Sequence, residues 1–78
     1  MTIGDRIKLA RQRSGLTQSQ LAERLGIDRS QRQRVSIWET GKATPRKDTL
    51  EAIASITGTT AAWLDYGIGI PPKERATE

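Results

Sequence analysis

Seventy-eight residues suffice for one small domain and are too few for two cores, because the fraction of surface a chain can bury falls with its size. With no cysteine and no histidine, the chain lacks a disulfide framework, thiolate-held zinc, the usual general base and the usual metal ligand; neither catalysis, nor a cofactor, nor a metal centre is expected. The net charge of +4 is unevenly placed: residues 1–47 hold eleven of the thirteen Lys and Arg against four acids, while residues 48–72 hold three acids and no Lys or Arg, a polarity suited to a polyanionic partner.

Thr2 with Asp5 three residues on is an imperfect capping box, and Ile3, Ile7 and Ala10 follow at helical spacing until Gly15. Arg6, Lys8, Arg11 and Arg13 are expected mostly on the other faces of this first helix. "TQSQ" at Thr17 to Gln20 is a full capping box, followed by the apolar stripe Leu21, Ala22 and Leu25 and by Gly26 as a left-handed stop, which gives a second helix of about nine residues.

A third helix is expected to begin between Asp28 and Gln31, since Asp28 with Gln31 and Ser30 with Gln33 both have capping-box spacing, and to end at Gly41. Val35 and Trp38 are spaced to face inward, so Trp38 reads as core. Glu39 reads as structural, holding a loop or an arginine. Pro45 punctuates the chain, and Leu50, Ile53, Ala54 and Ile56 mark a fourth helix from about Arg46 to Thr57, closed by Gly58. Thr60 can cap a last short helix ending before Gly67.

Five short helices with brief connections leave no room for strands, so the predicted fold is all-α, a compact five-helix bundle over residues 1–67. Residues 68–78, with "PPKERATE" at their end, read as a C-terminal tail or the start of a linker to a further domain. The expected core is Ile3, Ile7, Leu16, Leu21, Leu25, Ile27, Val35, Trp38, Leu50, Ile53, Ile56 and Leu64. In the apolar C-terminal end, Trp63 and Leu64 are expected inside, with Tyr66, Ile68 and Ile70 as dimer-interface residues. No apolar run approaches the roughly 20 residues of a membrane span and Met1 to Gly15 has no signal-like apolar stretch, so a soluble cytoplasmic protein is expected.

The second and third helices are joined through "LGIDR", a glycine turn between Leu25 and Ile27, which is the arrangement of a helix-turn-helix. Such a unit suits DNA because a helix fits the major groove and its outward polar side chains reach base edges. "GLTQSQLAERLGI", "WETGK" and the Pro45 to Leu50 stretch, in this order and spacing, resemble the domains of lambdoid-phage repressor and Cro proteins and of the large bacterial regulator family built on the same unit. The resemblance covers about residues 3–66, and "AAWLDYG" is similar to the close of that domain. It implies a lambda-repressor-like bundle that binds double-stranded operator DNA as a homodimer, with the third helix in the major groove.

Trp38 lies twelve positions beyond Gly26, three more than is usual in that family. Because three residues are close to one helical turn, the third helix could start earlier or the turn could bulge. A lengthened turn with a partly extended helix is the expectation, since extension alone would leave the chain after Gly26 no spare residues.

Matching backward from "WETGK", the resemblance puts Gln31, Arg32 and Gln33 at base-reading positions, with Ser36 and Ile37 at the later outward ones; Arg29 joins this set. Arg and Gln can pair bidentately with guanine and adenine, which makes Arg32 and Gln33 the leading readers. Ile37 suits a thymine methyl or packing within the protein. Phosphate contacts are expected from Thr17 and Gln18 at the start of the second helix, from Lys42, Arg46 and Lys47 after the third, and from Arg11 or Arg13. A phage or prophage type of transcriptional repressor is therefore the leading reading. The alternative is an antitoxin-like or adaptor protein whose main partner is another protein.

Overall fold

The computed structural model describes residues 1–69, 71 and 72. Its order is α1 (Ile3–Arg13), α2 (Gln18–Arg24), a 3-10 turn (Arg29–Gln31), α3 (Gln33–Glu39), α4 (Lys47–Thr57) and α5 (Ala61–Tyr66). The expected all-α, five-helix fold is what forms, with no strand among the described residues. Of the expected interface residues, Ile70 lies outside the described residues, as does the chain beyond Pro72.

Local chemistry starts and stops most of these helices. The Thr2 hydroxyl accepts the Asp5 amide and the Asp5 carboxylate accepts the Thr2 amide, so the box is complete despite the shorter acid. Thr17 and Gln20 form the same reciprocal pair at the start of α2, and Thr60 caps α5 through the Trp63 amide. Gly26 and Gly58 sit at φ +75° and +74°, a left-handed conformation that ends α2 and α4 without the strain a β-carbon would bring.

The hydrogen bond from the Thr2 amide, followed by that from its hydroxyl, holds the Asp5 carboxyl below its ordinary value of 3.8. The depressed pKa means that the box stabilises α1 above that value and is lost as the pH falls through the lower folded one. An NMR titration should find Asp5 ionising below 3.8, with Thr2→Ala moving it part of the way back. A midpoint at or above 3.8 would mean that the box is open in solution.

The start of α3 corrects the expectation. Neither Asp28 nor Ser30 makes a side-chain capping bond; the Ser30 hydroxyl instead donates to the Asp28 carboxylate at 2.6 Å. The Gln31 amide closes on the Asp28 carbonyl at 2.8 Å in a 3-10 turn, and the α-helix begins only at Gln33. The added residues therefore lengthen the turn and put one tight coil ahead of the helix. α2 is also shorter than expected, at seven residues.

Core packing follows the apolar spacing. Ile7, Leu21, Val35, Ile53 and Leu64 are fully enclosed, each contributing roughly 1.5–3 kcal/mol by burial. Trp38 and Trp63 are buried beside them, and Ile3, Leu16, Leu25, Ile27 and Ile56 pack around the margin. α1 is the spine, packing against α3, α4 and α5, while α2 packs on α3. No helix among the described residues is long and apolar enough to cross a membrane.

Candidate nucleic-acid interface

α3 turns Val35, Trp38 and Glu39 inward. At about 100° per residue, Gln33 and Ile37 then point away from the core, with Ser36 on one flank and Arg34 on the other. Thr40 follows on the outward side, but its hydroxyl is committed to the Ser36 and Ile37 carbonyls. Ile37 is half-buried and borders a cleft with Ala43, Thr44 and Pro45, so its outer edge is open while its inner edge is covered by the loop after α3.

A cationic rim surrounds this face. Arg29, Arg32, Arg34, Lys42, Arg46 and Lys47 are exposed, and none forms an ion pair within the described residues. Gln31 and Gln33 are exposed among them. Arg46 is the N-cap residue of α4 and its side chain makes no capping bond, so its guanidinium is available to a partner. Unpaired cations around a polar helix face are the electrostatic footprint of a polyanion site.

Arg11 is not part of that rim, contrary to its expected phosphate role. It is 9% exposed, and its Nε and Nη2 donate to the Glu39 carboxylate at 2.6 and 3.1 Å, with Nη1 on the Leu16 carbonyl at 2.9 Å. The physical reason is register: Arg11 follows Ile7 by four residues and so lies over the same inward face of α1. Glu39 holds an arginine, as expected of a structural carboxylate.

Gln18, half-buried, donates its Nε2 to Glu39 Oε1 at 3.0 Å. One buried carboxylate thus ties the starts of α2 and the end of α3 to α1, fixing the angle between the two helices of the motif. Gln18 keeps a side-chain oxygen free of that bond, and the Thr17 hydroxyl, which accepts the Gln20 amide, keeps its own proton to donate. Two further α1 arginines are committed within the chain: Arg6 donates to the carbonyls of Met1, Leu64 and Asp65, and Arg13 to that of Pro72. Three of the four cationic side chains of α1 are thereby held within the fold; of the exposed cations without an ion pair among the described residues, Lys8 and Arg24 lie elsewhere and the other six lie around α3.

Sequence reasoning missed Arg34, whose signal was its place one residue before the inward Val35, which sets it on a flank of α3. Tyr66 and Ile68, expected at a dimer interface, are 71% and 64% exposed, and Trp63 and Leu64 are buried as expected.

The Helix-turn-helix family HTH_3 matches residues 7–64. Over 86 aligned positions the chain is 40% identical to the 26 kDa repressor protein of Escherichia phage HK022, covering 99% of this chain and 35% of that protein, so it spans about a third of that relative's length. The crystal structure of the P22 c2 repressor protein with a synthetic operator has a TM-score of 0.77 at 22% identity, over 87% of this chain and 98% of that one, a likeness of fold. The structure of SinR, a master regulator for biofilm formation, in complex with DNA matches at a TM-score of 0.71 and 30% identity, over 81% of this chain and 97% of that one. With the two packed helices, the glycine turn between them and the exposed polar face of α3, the matched span shows that the chain belongs to the helix-turn-helix family HTH_3.

Proposed function

We propose that this chain is a sequence-specific double-stranded DNA-binding transcriptional regulator of the phage-repressor type. It binds a near-palindromic operator as a homodimer, with α3 of each copy in successive major grooves about 34 Å apart. The observation that carries this reading is the exposed, unpaired polar and cationic surface of α3 and its preceding turn, held rigidly through Glu39. The repressor name of the HK022 relative and the DNA complexes of P22 c2 and SinR support it.

Gln33, Ser36 and Ile37 meet base edges, with Arg29, Gln31 and Arg32 at the margin of that surface. Lys42, Arg46 and Lys47 contact phosphates, assisted by Thr17 and Gln18 at the start of α2. Tyr66 and Ile68 contribute apolar surface to the contact between copies. Residues 1–67 form the binding domain, the chemistry performed is binding rather than catalysis, and the site of action is the cytoplasm, where operator DNA is found.

Selection of bound duplexes from a random library at about 150 mM salt tests this, because nonspecific phosphate affinity is already weakened there. An enriched inverted repeat is the expected result; recovery of no motif, with binding that disappears as salt rises, would sink the reading and turn attention to a protein partner. On the selected duplex, Gln33→Ala should cost roughly 1–3 kcal/mol and relax preference at one base pair. Lys42→Gln should weaken binding to every sequence alike and reduce the salt slope by about one. Equal losses on all sequences for both variants would contradict this division of roles.

A further inference from the structure

The residues added before α3 have a register of their own. Side chains three apart on a 3-10 turn eclipse one another. Arg29 and Arg32 accordingly border one cleft, with Ser19, Gln20 and Glu23 of α2 along its side. Gln31 and Arg34 border another, along Asp48, Thr49 and Ala52 of α4. Within "RSQRQR", Arg29 and Arg32 thus lie on the α2 side, Gln31 and Arg34 on the α4 side, and Gln33 borders neither cleft; the three arginines are exposed without an ion pair among the described residues.

We infer that the turn and α3 form a two-walled phosphate clamp, in which Arg29 and Arg32 hold the backbone of one DNA strand and Arg34 holds that of the other. The inference rests on the DNA-binding reading above. A helix with its side chains is about 10–12 Å across and the major groove is about 12 Å wide, so side chains leaving the flanks of the helix end at the groove walls. Those leaving the outward face, Gln33 and Ile37, end at the floor, where the base edges are. A guanidinium on a flank therefore meets phosphate oxygens first, which it binds as a planar fork.

Both clefts also carry carboxylates, Glu23 on the α2 side and Asp28 and Asp48 on the α4 side, Asp28 accepting the Ser30 hydroxyl and Asp48 the Thr49 amide. These carboxylates repel phosphate from the cleft surfaces, so contact requires the guanidinium groups to reach out past them. The clamp assigns Arg34 a contact and moves Arg29 and Arg32 from base reading to backbone holding. Reading is left to Gln33 and Ile37, with Ser36 beside them on a flank but too short to span to the groove wall, and the added turn increases grip without adding a specified base pair.

The test uses the whole chain, the duplex enriched by the selection above and a scrambled duplex of equal length. Binding is measured against salt for the wild type, for the double variant Arg29→Gln/Arg32→Gln and for Arg34→Gln, with ethylation of individual phosphates mapping the contacts. The salt slope should fall by about 0.9 per lost contact, the preference for the selected duplex should stay unchanged, and the lost phosphates should lie on opposite strands for the two variants. A single Arg32→Gln change that alters preference at one base pair with the slope intact would overturn the clamp, as would loss of phosphates on the same strand by both variants. If the wild type itself does not prefer the selected duplex, the DNA-reading proposal fails and the clamp with it; failure of the variants alone overturns only the clamp.

Discussion

Replacing Glu39 with alanine is expected to destabilise the domain by about 3–5 kcal/mol, the cost of leaving a buried charge without its partner. The side chains of Arg11 and Glu39 are 11% and 3% exposed, so the guanidinium left behind cannot be rehydrated without opening the bundle. Glu39 also accepts Gln18, so its loss frees a second, half-buried donor and releases the start of α2. For a domain of this size each kcal/mol corresponds to about 4–8 °C, which puts the expected fall in Tm well above 10 °C. Urea unfolding provides the measurement.

The double variant Arg11→Met/Glu39→Leu separates the pair from its unpaired halves. Removing both charges together is expected to recover most of the stability, because the desolvation cost of an ion pair offsets much of its attraction. The same variant should still bind DNA less tightly than wild type, since Gln18 and the α2–α3 angle lose their shared anchor. A Glu39→Ala change within about 1 kcal/mol of wild type would mean that the pair behaves as exposed surface ion pairs do and that solvent reaches it.

Gly4→Ala is expected to destabilise the domain by about 1–3 kcal/mol, although alanine is the better helix former by about 1 kcal/mol. A β-carbon at Gly4 would stand 2.5 Å from the Trp38 carbonyl oxygen and 2.7 Å from that of Glu39. Both are backbone atoms of α3, so no side-chain rotation relieves the clash, and α1 must separate from α3. Operator affinity should fall with stability, because α3 is the element displaced. Lys8→Ala on the exposed face of α1 is the control, expected within about 0.5 kcal/mol of wild type. A Gly4→Ala protein as stable as wild type would mean that the two helices do not approach this closely in solution.

What the sequence determined by itself was whatever is settled within one helical turn. The Thr2, Thr17 and Thr60 caps, the glycine stops after α2, α4 and α5, and the inward placing of Ile7, Leu21, Val35, Ile53 and Leu64 depend on neighbours three or four residues away. So does the helix-turn-helix itself, whose spacing of glycine and apolar residues carries the fold and the family. The same local rules failed between Asp28 and Gln33, where two overlapping caps were available. There the two candidates bond each other, neither side chain caps a helix amide, and the chain takes a 3-10 turn before α3.

The tertiary structure alone decided which arginines are free. Arg11 meets Glu39 across 28 residues and Arg6 meets the carbonyls of Leu64 and Asp65 across 58 and 59, separations at which spacing in the chain carries no information. The register of Arg11 with Ile7 was visible, but its partner was not, and a charged side chain is buried only when a partner exists to hold it. The choice between phosphate and core for an arginine is therefore made by packing. On this protein that choice leaves Arg29, Arg32, Arg34, Lys42, Arg46 and Lys47 exposed around α3.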